Sequence, residues 1–220
     1  MAGSPWDRVQ HEGRDLFTLN RGPAGDRVYG ESLRTIHGVE YRQWDPFRSK
    51  LAALLVKGGP LDVWTGTGRT LYLGGAHGTT VSHVADLVDP APVFAVEKSA
   101  TSFAPLLALA RRRSNILPIL ADAQLPERYR ADVGEVDLLY QDVAQRNQAA
   151  IFVENARATL AGRGRGLLML KVRSVTQRRP APVVVREARA ELTAGGLEVR
   201  AEVALAPFAR DHVALLVSFA

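Results

Sequence analysis

The 220 residues are 46% hydrophobic and 23% charged and include no cysteine. This describes one globular domain, or one domain with a small appendage, and excludes a disordered or fibrous chain, a disulfide framework and any site built on thiolates. Lys and Arg outnumber Asp and Glu by 28 to 23, a mild excess that favours an anionic partner such as nucleic acid.

Residues 1–48 carry short β-prone pieces at 15–20, 27–29 and 35–41, separated by glycines and the Gly22-Pro23 turn. A small, mostly antiparallel β-rich domain is expected there. The larger domain, 49–220, opens with a helical pattern (Leu51, Leu54, Leu55) that Gly58-Gly59-Pro60 stops. Apolar β-rich runs at 71–74, 93–96, 116–120, 136–140 and 166–170 then alternate with segments at 79–88, 99–113, 145–161 and 181–194, whose apolar residues recur at helical spacing. That alternation predicts a parallel sheet covered on both faces. The ending differs. Runs 197–205 and 213–219 are strand-like and joined by only seven residues, too few for a parallel crossover, so they must pair as a hairpin. The fold class expected is therefore α/β: a Rossmann-like, mostly parallel sheet with an antiparallel C-terminal hairpin, the usual form of S-adenosylmethionine-dependent methyltransferases. No apolar run approaches the ~20 residues of a membrane span, and no signal-peptide pattern is visible, so no membrane partner and a reducing, cytoplasmic setting are expected.

Gly74, Gly75, Ala76, His77, Gly78, Thr79 and Thr80 follow the first parallel strand and lead into a helix. Glycines there let backbone approach a ligand, and the helix start offers free N–H groups, although plain tight turns look similar. Glu97 ends the second strand, where an acidic side chain can accept both ribose hydroxyls of a nucleoside cofactor. Asp122 and Asp142 end the third and fourth strands, so three carboxylates reach the sheet edge at which such folds bind ligands. Acids at this rim suit a cationic, phosphate-free nucleoside such as S-adenosylmethionine better than a pyrophosphate.

Only four lysines occur, Lys50, Lys57, Lys98 and Lys171. Lys171 ends the fifth strand and His212 begins the last, antiparallel one, so topology gathers Asp142, Lys171 and His212 at one edge. Lys50 opens the first helix and can join them only through tertiary folding. Each has a plainer reading as a solvated or loop residue. His77 and His83 lack carboxylate partners at ligand spacing, so no metal is assigned. Arg111, Arg112 and Arg113 read as a solvated helix end, while Arg173, Arg178 and Arg179 are candidates for RNA phosphate contacts.

Six segments together resemble the fibrillarin family: 41–53 (YRQWDPFRSKLAA), 72–84 (YLGGAHGTTVSHV), 115–123 (NILPILADA), 142–145 (DVAQ), 171–174 (KVRS) and 207–213 (PFARDHV). The resemblance spans nearly the whole chain in order. It implies S-adenosylmethionine-dependent 2′-O-methylation of ribose in rRNA, with tRNA as an additional target. It also implies direction by a box C/D guide RNA, in a particle with a Nop-domain scaffold protein and a kink-turn-binding, ribosomal-type protein. Carried over, the cofactor contacts fall on Thr79, Thr80, Glu97, Lys98, Asp122, Ala123, Asp142, Val143, Ala144 and Gln145. The catalytic set falls on Lys50, Asp142, Lys171 and His212, with Asp142 expected to orient Lys171. The family usually has a small residue at the position of His77 and an aromatic one at Lys98. No glycine- and arginine-rich tract stands among residues 1–48, so likeness to the short archaeal form is expected. Rival expectations are a subunit that keeps the fold without turnover and a nicotinamide-dependent oxidoreductase.

Overall fold

The computed structural model describes residues 8–13, 15–59 and 68–220. Four short strands, β1 (Val9–Glu12), β2 (Asp15–Leu19), β3 (Leu33–Ile36) and β4 (Val39–Gln43), form an antiparallel sheet in the order β1-β2-β4-β3. The single piece expected at 35–41 is in fact a hairpin. It turns at His37 and Gly38, whose φ values of 50° and 79° are both left-handed, as a two-residue turn between twisted strands requires. Residues 27–29 are not a strand, because the N–H groups of Val28 and Tyr29 donate to the Glu31 carboxylate instead of to a ladder. β1 was not anticipated: only Val9 of its four residues is buried, so it carries no apolar alternation.

The second sheet has seven strands: β5 (Thr70–Leu73), β6 (Val93–Glu97), β7 (Ile116–Leu120), β8 (Val136–Gln141), β9 (Leu160–Lys171), β10 (Leu197–Ala204) and β11 (His212–Phe219). Their order is β10-β11-β9-β8-β5-β6-β7. β5 to β9 are mutually parallel, and β11 runs antiparallel to β9 and to β10. The helices are α1 (Lys50–Val56), α2 (Thr79–Val88), α3 (Ala100–Ala110), α4 (Arg130–Val133), α5 (Gln148–Thr159), α6 (Val172–Val175) and α7 (Ala181–Ala194). Because side chains alternate along a strand, Tyr72, Leu167 and Met169 pack with α1, α2 and the N-terminal sheet, while Leu71, Leu73, Leu168 and Leu170 pack with α5 and α7.

The stop of the first helix is as expected, and two other readings are corrected. α1 ends at Val56, with Gly58 at φ 70°; Pro60 lies outside the described residues. α5 stops at Thr159, and β9 begins at Leu160 with an irregular register before joining β8 properly at Arg165. Its glycine- and arginine-containing start hides this strand from hydropathy. The solvated reading of the 111–113 arginines fails at Arg113, which is only 3% exposed and pairs with Asp26 at 2.6 Å and Asp86 at 3.2 Å. Asp86 also holds Arg42 at 2.6 Å, and Arg42 holds Glu31 at 2.6 Å, so a buried ionic network ties β4 of the N-terminal sheet to α2 and the end of α3.

Candidate active site

The carboxyl ends of the parallel strands open a cavity of about 240 Å³, lined by Gly74, Ala76, Val96, Glu97, Lys98, Ala121, Asp122, Ala123, Asp142, Val143, Ala144 and Gln145. At the end of β5, Gly74 has φ 87°, and a Cβ there would stand 2.3 Å from the Asp142 carbonyl oxygen. No other residue type fits without moving one of the two loops. Ala76 takes a left-handed φ of 45°, and its N–H donates to Glu97 at 2.9 Å. That bond holds a conformation that costs an alanine about 1–2 kcal/mol. The second oxygen of Glu97 accepts the Ser99 N–H at 2.7 Å. Each carboxylate oxygen therefore keeps a lone pair for an incoming hydroxyl.

Asp122 accepts the Gln124 N–H at 3.0 Å and the Gln145 amide at 3.2 Å, with Lys98 at 3.7 Å. Burial alone would raise this carboxyl, but those donors and the Lys98 charge hold it below the ordinary value. The carbonyl oxygen of the Gln145 side chain is buried with no hydrogen-bond partner among the described residues. An unpaired buried acceptor in a cavity wall is a ligand-facing feature. Val96 and Ala121, which sequence reading missed because they look like core, supply the apolar wall. Four predicted contacts are not among the residues lining this cavity. Gly75 and Gly78 make room for Leu106 and Leu109 of α3, Thr80 donates to Ser49, the N-cap of α1, at 3.1 Å, and Thr79 starts α2 outside the cavity lining.

A second cluster adjoins the first. Asp142 follows β8 directly, and its Oδ2 lies 2.6 Å from Nζ of Lys50, with both side chains partly exposed. The expectation that Asp142 orients Lys171 is thereby corrected: its ionic partner is Lys50, brought in because Ser49 caps α1 and fixes where Lys50 starts. Lys171 is held by Gln148 at the start of α5. The Gln148 side chain accepts the Lys171 N–H at 2.8 Å and donates to its carbonyl at 3.1 Å. Gln141 in turn donates to the Gln148 carbonyl at 2.7 Å. Neither glutamine could be singled out in the sequence, since each serves through backbone contacts.

His212 is paired in register with Lys171 across β11 and β9. Its Nε2 is buried with no hydrogen-bond partner among the described residues. Burial, chiefly, and the charges of Lys50 and Lys171 push the imidazole down to about 4 against the pull of Asp142 and Asp211. The ring is therefore neutral at pH 7. The proposed RNA contacts fare unevenly. Arg173 pairs with Asp211 at 2.9 Å, and Arg179 binds Glu187 through both oxygens at 2.6 Å, leaving Arg178 without a carboxylate partner among the described residues.

Chemically, one face can hold a nucleoside and the other can activate and place a hydroxyl group. A family model for fibrillarin matches residues 6–220. The fibrillarin-like rRNA/tRNA 2′-O-methyltransferase of Aeropyrum pernix is 47% identical over 199 residues, covering 90% of this chain and 84% of the relative. The crystal structure of Aeropyrum pernix fibrillarin with natively bound S-adenosyl-L-methionine has a TM-score of 0.85 at 44% identity, covering 92% of this chain and 88% of that one. A fibrillarin/Nop5p complex has a TM-score of 0.86 at 39% identity, covering 97% and 98%. Among the described residues, no helix is long and apolar enough to cross a membrane.

Proposed function

The chain belongs to the fibrillarin family, and from that premise we propose that it methylates the ribose 2′-hydroxyl of rRNA and tRNA with S-adenosylmethionine. Its target is chosen by a box C/D guide RNA in a cytoplasmic particle with a Nop-domain scaffold and a kink-turn-binding protein. The observation that carries the reading is the junction at Asp142, which lines the cofactor cavity and holds Lys50 at 2.6 Å, beside Lys171 and His212.

The cavity suits the cofactor. Glu97 would accept the ribose hydroxyls, Val96, Ala121 and Ala123 offer an apolar wall for the base, and the orphaned Gln145 oxygen would accept a donor. When bound, S-adenosylmethionine would supply an electrophilic methyl group on a sulfonium, whose carbon–sulfur bond breaks to leave a neutral thioether. The chain's task is to activate the sugar oxygen, a poor nucleophile at neutral pH. Lys171 lies against the 2′-oxygen and stabilises the negative charge that develops there. As the oxygen becomes methylated, its proton passes to the Asp142 carboxylate, which Lys50 keeps in position. Neutral His212 offers Nε2 to the substrate as a hydrogen-bonding group without adding charge. Alignment of the reacting atoms supplies much of the remaining acceleration.

The test is Lys171→Ala assembled with guide RNA and partners and assayed for tritiated-methyl transfer. A loss of about 100-fold or more is expected, with cofactor affinity by calorimetry changed less than about twofold. Transfer at the wild-type rate would overturn the assignment. The wild-type arm separates an active enzyme from a subunit that keeps the fold without turnover.

A further inference from the structure

Two more clefts open beside the reactive cluster. One, of about 260 Å³, is lined by residues 46–50 and 209–212 and so includes Lys50, Asp211 and His212. The other, of about 450 Å³, is polar and carries Arg146, Arg173 and Arg178. Arg146 directly follows the cofactor-cavity residue Gln145, and Arg173 lies two residues beyond Lys171, so this cleft adjoins both halves of the site. The two clefts meet at the Arg173–Asp211 pair, one partner in each, with side chains 70% and 43% exposed. Exposed pairs of this kind are weak and exchange readily for a better partner. Arg146 and Arg178 have no carboxylate partner among the described residues, whereas Arg179 is committed to Glu187 and lies outside the lining.

Guanidinium groups converging on an open polar cleft match the planar, bidentate recognition of a phosphodiester. We propose that the Arg146, Arg173 and Arg178 cleft holds a backbone phosphodiester of the target RNA strand, and that this phosphate displaces Asp211 from Arg173. The inference rests on the RNA-methylating reading above. Contacts to phosphate carry no sequence information but fix register and orientation. Here they set the position of the reacting ribose relative to Lys171. Asp211 keeps the cleft's charge partly neutralised until RNA arrives.

The test follows binding of a fluorescently labelled guide–target RNA duplex to the full chain by anisotropy over a series of KCl concentrations. Arg146→Ala/Arg178→Ala is expected to weaken binding about tenfold and to flatten the plot of log affinity against log salt by roughly one to two. Arg179→Ala leaves both unchanged. Asp211→Asn is expected to tighten binding a few-fold, and that gain disappears in an Arg173→Ala background. An unchanged salt slope in the double variant, weaker binding in Asp211→Asn, or no salt-dependent binding by the wild-type chain overturns the proposal. Calorimetry of cofactor binding confirms that each variant is folded. Because this readout needs no turnover, failure of methyl transfer with the expected salt behaviour would sink the catalytic reading alone. Normal transfer with an unaltered slope would sink the cleft alone.

Discussion

His212 illustrates how a single residue's environment sets its chemistry. Its imidazole is pushed from the ordinary 6.5 to about 4, and buried His83, bonded to Thr18 and Tyr29 and near Arg42 and Arg113, is also well below the ordinary value. In both cases burial is the largest cause. The unfolded chain therefore takes up protons first as the pH falls. The contribution of these two histidines is full above about 6.5 and is lost as the pH falls, for His212 down to about pH 4. In urea titrations at pH 7 and pH 5, His212→Gln should lose less stability on acidification than the wild type, with the His83 share remaining. At the same scale, Gly74→Ala places a methyl group 2.3 Å from the Asp142 carbonyl on a backbone at φ 87°. It should cost about 1–3 kcal/mol of stability and weaken cofactor binding, as thermal melts and calorimetry would register. The glycine was legible as a loop signal in the sequence. Its reason, the neighbouring strand's carbonyl, was not, because that contact exists only once β5 and β8 are side by side.

At the scale of elements, the regular part of the fold follows from apolar runs separated by helix-length segments, and the hairpin from its short connection. Those signals are local, so they survive in one dimension. The elements that escaped are stabilised from elsewhere. β3 and β4 depend on a two-residue turn, β1 on pairing with β2, and the start of β9 on β8 rather than on its own composition. The same holds within the site. Asp142, Lys171 and His212 were placed together by strand direction alone, whereas Lys50 arrives through α1, and the Lys50–Asp142 pair is a tertiary outcome. α2 is buried along most of its length because it packs against β2 of the N-terminal sheet as well as against β6 and β7. Polar Asp86 on that helix is tolerated only because Arg42 and Arg113 meet it. Arg42→Ala leaves two buried carboxylates, Glu31 and Asp86, without that partner. A loss of about 3–5 kcal/mol is expected in equilibrium denaturation.

For the molecule as a whole, we propose that residues 1–48 and 49–220 are two units of chain organisation that unfold together. Val9, Leu16 and Trp44 belong to the same buried cluster as Leu51, Val84, Tyr72 and Met169. The ionic network runs across the same boundary, through Arg42 on one side and Asp86 on the other. Heating or urea should therefore give one transition, with tryptophan fluorescence and far-ultraviolet circular dichroism coinciding. Two separated transitions would show that the smaller unit folds independently.

The peptide at Asp142 has a consequence for anyone who wishes to re-engineer the molecule. Its carbonyl leans on the glycine turn that shapes the donor cavity, while its side chain grips the lysine on the acceptor side. Donor preference and acceptor preference thus share one hinge of construction and cannot be redesigned there separately. Changes meant to admit a bulkier donor belong on the β6 and β7 side, at Val96 or Ala121. Changes meant to admit a different acceptor belong near Arg146 and Arg178, each leaving that common peptide untouched.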